Sequence, residues 1–131
     1  MLKAIETVTV INRTIENKLD AYHCHLLHGV SWYTQNKYIA DTGGYKAAKV
    51  HKIRIPLCLL DGYVDPEEYR KAEDKTGLWT LAPGDKIFLG EKEQITGTAF
   101  TALARTGTVC VVSDVHKNLY GLNQHIYVEG G

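Results

Sequence analysis

The chain has 131 residues, with 15 Lys plus Arg against 15 Asp plus Glu, for a formal charge of zero. This length predicts one domain over residues 1–131, enough to bury roughly two-thirds of its unfolded surface without a covalent staple. Balanced charge gives no overall electrostatic footprint for nucleic acid and leaves room only for a local basic patch, and no apolar run is long enough for a membrane span.

No signal peptide precedes the first strand-like stretch, so the chain is expected to be made and kept in the cytoplasm. Cys24, Cys58 and Cys110 are odd in number and far apart, with no C-x-x-C pair. In that compartment they read as buried thiols, not disulfides.

Glu6 to Ile11 is rich in β-branched residues and predicts a first strand. Leu19 to Leu27 predicts a second, joined to the first by the polar connection Arg13 to Lys18. Alternation puts Tyr22, Cys24 and Leu26 on one face, taken as the core face, and His23 and His25 on the other. Gly29 predicts a bulge or bend. Val30 to Thr34 resumes the extended pattern, with Val30, Trp32 and Thr34 on one face. Gly43-Gly44 marks a turn inside a long polar connection over 34–46. Lys49 to Ile55 alternates again and stops at Pro56.

Asp65-Pro66-Glu67-Glu68 predicts a helix start. Asp65 suits the N-cap, Pro66 the first helical position, and Glu68 completes a capping box. Gly77 is a natural terminator, so the helix is expected over about 66–75, with Tyr69 and Ala72 inward. Leu78-Trp79-Thr80-Leu81 reads as a short strand. Pro83-Gly84 has the type II turn arrangement, and Asp85 to Leu89 is the returning strand, with Ile87 and Leu89 on one face. A second polar connection covers 90–107, with a helical turn within 98–105. Thr108 to Val112 and Gln124 to Val128 read as strands, and residues 129–131 as a frayed end. The fold class is therefore mainly β. The expectation is a small antiparallel barrel or sandwich of seven or eight strands with one short helix.

Six histidines invite a metal reading. His23 and His25 lie two apart on a strand and project from one face, a geometry that can chelate a metal if His28 or His51 supplies a third ligand. The plainer reading is that they decorate a solvent or subunit face, and no metal or cofactor is assigned. Cys24, between two histidines, is pointed away from both by alternation, which argues against a Cys–His nucleophile. No G-x-S-x-G, Walker or dinucleotide motif appears. Lys46, Lys49, Lys52 and Arg54 form the best local basic patch, or are ordinary solvated charges. The aromatic residues suit a core or a subunit interface.

Several stretches recur in a family-like order: Glu6 to Val10, His28 to Trp32, Ile53 to Pro56, Pro66 to Tyr69, Gly77 to Leu81 with Gly84-Asp85, Ile95 to Gly97, and Val112 to Val115. In these the chain resembles a protein family of tailed phages and prophages of Gram-positive bacteria, encoded in the head–tail joining cluster. The chain departs from the family pattern at Val115, where an Asn is expected directly after Asp114. The family is similar to head-closure (stopper) proteins, small β-barrels that form a ring below the portal and its adaptor and seal the DNA channel. The resemblance implies a virion structural protein at the head–tail joint with no enzymatic activity. Its implied partners are other copies in a ring, portal or adaptor proteins, a tail tube or tail-completion protein, and packaged DNA, with no membrane. The segment 34–46 is nominated as a DNA-channel loop, with Gly43 and Gly44 as a hinge and Lys37, Lys46 and Lys49 toward the phosphates. Trp32, Asp65, Pro66, Glu68, Trp79, Pro83, Gly84 and Asp85 are nominated as structural. A tail-terminator role is the alternative within the virion, and a His-based metal-binding protein the alternative outside it.

Overall fold

One glycine decides how the longest strand meets the core. In the computed structural model, which describes residues 6–41, 43–92, 95 and 97–131, β1 (Glu6–Glu16) pairs antiparallel with β2 (Leu19–Asp41). The pairing runs from Glu16↔Leu19 to Thr7↔His28 and then jumps to Glu6↔Val30. Gly29 is the extra residue, at φ 102°, a conformation that costs a glycine little. The bulge reverses which parity of the strand points inward. Before it, His25 stacks on Trp79 and Leu27 is buried in the core; after it, Val30 and Trp32 join the same core.

The remaining strands are β3 (Gly44–Pro56), β4 (Lys86–Leu89), β5 (Val109–Asn118) and β6 (His125–Gly130). They close an antiparallel barrel in the order β1-β2-β3-β6-β5-β4. The main core holds Val8, Val10, Ile53, Ile55, Ile87 and Val128 among others, set inward by strand alternation. Closure leaves fewer exposed edges than an open sheet would. A second, smaller core lies on the opposite face of the β1–β4 sheet. There α2 (Gly97–Thr101) and a 3-10 turn (Leu103–Arg105) bring Phe100 and Leu103 onto Ile11 and Phe88. Among the described residues no helix is long and apolar enough to cross a membrane.

Among the described residues six strands form the barrel, where seven or eight were expected. The bulge at Gly29 bends the chain without breaking it, so the two expected strands before and after it are one. Leu78 to Leu81 is not a strand; a single bridge joins Tyr63 to Trp79, and this segment serves instead to bury Trp79 and Leu81 in the core. The core face expected for β2 also needs correction. Tyr22 and Cys24 are covered from outside by the Phe100 cluster, and Leu26 is 39% exposed. The inner face carries the histidines.

The helix α1 spans Pro66–Lys71 and stops at Ala72, whose ψ of 127° is extended. Tyr69 is buried as expected, but no side-chain hydrogen bond caps the helix. The Asp65 carboxylate is instead paired with the Lys117 ammonium at 2.7 Å. Neither Asp65 nor Glu68 therefore forms the expected capping box. The C-terminus does not fray. Residues 129 and 130 complete β6, Gly130 is buried, and the Gly131 carbonyl accepts from the Val111 N–H at 2.8 Å. The thiols also differ from one another: Cys110 is buried, Cys24 is intermediate and Cys58 is exposed, all three free.

Candidate functional site: a hairpin arm and its base

The segment expected as a long polar connection is mostly paired strand. β2 and β3 stay in register from Ser31↔Arg54 out to Asp41↔Gly44. Their neighbours end earlier. β1 reaches β2 only as far as Val30, and β6 reaches β3 only as far as His51. Beyond Gln35↔Val50 the two strands therefore run as a ribbon with no third strand among the described residues. The tip falls at Gly43 and Gly44, with Gly44 at φ 116°. This arm carries the channel residues proposed from sequence. Lys37 lies opposite Ala48, Lys46 opposite Ile39, and Lys49 opposite Asn36. Lys49 is exposed; the side chains of Lys37 and Lys46 lie outside the described residues. Tyr38 projects with 73% of its surface exposed.

The arm is anchored where it leaves the barrel. His51 is buried there, directly behind Ile53 and Ile55 in the inward alternation of β3. Its Nδ1 accepts from the Trp32 indole N–H at 3.2 Å and meets the Thr34 hydroxyl at 2.9 Å. Burial holds the imidazole pKa below its ordinary value, and the nearby Lys49 charge adds to this. From the sequence His51 is a candidate third metal ligand within the alternating stretch Lys49 to Ile55. The signal for its real place was the period-two pattern His51, Ile53, Ile55.

The histidines do not converge. His23 Nε2 sits 3.1 Å from Glu16 and 3.3 Å from the Thr14 hydroxyl. His25 lies flat against Trp79, with ring centroids 5.3 Å apart. His28 meets Thr7. No group of three or more His, Cys, Asp or Glu able to hold a metal occurs among the described residues. Trp79 itself is fully buried, and its indole N–H donates to the Asp61 carbonyl at 2.9 Å.

A buried polar cluster that sequence reading missed ties the 78–85 segment to β1. Asn12 donates to the Thr80 carbonyl at 2.6 Å and to Asp85 Oδ2 at 2.9 Å, and its own oxygen accepts from the Thr80 N–H at 3.1 Å. Asp85 also accepts from the backbone N–H groups of Arg13 and Ala82. Burial raises the Asp85 pKa, and these donors partly offset it. The Pro83-Gly84 turn has the expected shape, with Gly84 at φ 95° and the Asp85 N–H bonded to the Ala82 carbonyl. The cluster is structural in its chemistry. Both oxygens of the carboxylate are already engaged by donors.

Residues 4–131 match a protein family described as one of unknown function, DUF6751. The chain belongs to the DUF6751 family. No curated protein and no solved structure matches it. For this DUF6751 protein the match covers the whole barrel together with the arm, so the arm belongs to the family's matched region.

Proposed function

We propose that this DUF6751 protein is a virion structural protein of the head–tail connector. In this reading it is a head-closure (stopper) subunit that assembles with other copies into a ring below the portal and its adaptor and retains packaged DNA. The observation that carries the reading is the arm, a two-stranded ribbon projecting from a closed barrel. Isolated hairpins are marginal in water, so an arm of this length suits an element held by neighbouring chains. Ring assembly requires heterologous contacts between copies, and exposed aromatics such as Tyr38 and Tyr33 suit such contacts. The arm then takes the place of the 34–46 loop, projecting into or across the channel with Lys37, Lys46 and Lys49 near the phosphates. The protein has no catalytic role in this reading.

Quantitative mass spectrometry of DNA-filled heads, free tails and whole virions tests it. Low-copy presence in filled heads and virions, but not in free tails, is expected. Presence in free tails would instead assign a tail-terminator role, and absence from all three would sink the structural reading. Deleting 36–45 is expected to leave the barrel folded and abolish DNA retention; normal retention would refute the channel role.

A further inference from the structure

β1 outruns its partner on one side. Its pairing with β4 ends at Ile11↔Lys86, whereas its pairing with β2 continues to Glu16↔Leu19. Backbone groups of alternate residues point to opposite sides of a strand. The Thr7 carbonyl and Arg13 N–H both bond toward the β4 side, to Gly90 and Asp85. By the same alternation the Arg13 carbonyl and both backbone groups of Ile15 face that side too. The Asp85 carboxylate satisfies the Arg13 N–H, and beyond it no described residue pairs with this edge.

A groove runs along this open edge, between β1 and α1. Its two halves share Arg13, Thr14 and Arg70; Tyr69 lines one end, and Ile15 and Lys75 the other. Two of its features are unfilled. Tyr69 is 1% exposed, yet its hydroxyl has no hydrogen-bond partner among the described residues. Arg70 has no carboxylate partner among them either, whereas Arg13 is paired with Asp20, Lys75 donates to the Ala72 carbonyl, and Glu16 is engaged by His23 and Thr14.

The geometry points to a binding site for an extended acidic peptide segment of a partner protein, added as a short strand to the Arg13–Glu16 edge. Its backbone pairs with Ile15 and with the Arg13 carbonyl, and a carboxylate side chain is read by Arg70. Strand addition draws affinity from main-chain hydrogen bonds and specificity from the flanking side chains. A guanidinium supplies a charge-assisted, two-pronged contact to a carboxylate. This site is independent of the connector reading and stands or falls separately from it.

The test is an amide NMR titration of the full chain with a short alternating Glu/Val peptide and with a Lys/Val peptide of the same length. The acidic peptide is expected to shift the amides of residues 13–16 saturably, and the basic one to leave them unmoved. Arg70→Glu should weaken binding by roughly tenfold or more. Ile15→Pro should abolish it without removing a β1–β2 ladder hydrogen bond, because that N–H faces away from β2. Arg70→Glu keeps the test informative should the proline variant unfold. Equal binding of both peptides, or no shift at residues 13–16, would overturn the proposal. So would concentration-dependent shifts at this edge without peptide, which would make a second copy the occupant.

Discussion

The indole N–H of Trp32 reaches Nδ1 of His51 at 3.2 Å, and this contact fixes the imidazole as the neutral form carrying its proton on Nε2. An indole N–H only donates, so Nδ1 accepts. The pair joins β2 to β3 at the place where the arm leaves the barrel. Protonating Nδ1 turns the acceptor into a donor facing a donor.

This makes stability pH-dependent in a definite direction. An unfolded histidine titrates near about 6.5, and burial lowers the folded value for His51 and, separately, for His25. The unfolded chain then binds more protons between the lowered and the ordinary pKa. The two histidines' contribution is fully present above about pH 6.5 and is lost as pH falls through that window toward the folded pKa. Urea midpoints measured from pH 8 to pH 5 should show this decline. His51→Gln, which keeps an acceptor but does not titrate, should flatten it. An unchanged slope in that variant would rule out His51 as a source.

Asn12 is the buried link between β1 and the 78–85 segment. Asn12→Ala removes a donor from Asp85 and both bonds to the Thr80 backbone. Leaving buried polar groups without partners costs about 1–3 kcal/mol each. A loss of about 3 kcal/mol in unfolding free energy is therefore expected by urea denaturation. A loss under about 1 kcal/mol would mean that water replaces the amide without penalty.

The last two residues should matter to the whole barrel. A Cβ on Gly130 would collide with the Val111 carbonyl and press on the Cys110 sulfur at 2.8 Å. Gly130→Ala is expected to cost about 1–3 kcal/mol by overpacking. Removing residues 130 and 131 should lower the melting temperature as well, because the Val111 N–H loses its acceptor. An unaltered melting curve for both variants would return the C-terminus to a frayed end.

The three thiols should react in order of exposure. Cys58 is exposed, whereas Cys110 is buried, with burial pushing its pKa up to about 12. The thiolate is the reactive form, so Cys110 is protected both by access and by protonation. A disulfide reagent added to the native protein should label Cys58 first, and Cys110 only on unfolding. Early labelling of Cys110 would show that β5 opens locally.

Local chemistry makes part of this molecule legible in its sequence. The period-two alternation of Lys49 to Ile55, the β-branched run from Glu6, the Pro83-Gly84 turn and the breaker at Gly29 each act over a few residues, and each takes the expected form. The candidate site was legible only by position. Gly43 and Gly44 do mark a tip, but a polar stretch such as Thr34 to Lys46 reads as a loop when its pairing partner is unknown, and pairing with β3 makes it an arm. Tertiary structure alone decided the rest. Gly29 switches inward parity only because β1 lies alongside. His51 becomes an acceptor only beside Trp32, and Asp65 leaves its helix end because Lys117 arrives from β5. Sequence determined conformations set by neighbours along the chain; hydrogen-bond partners separated by tens of residues were chosen by the closure of the barrel.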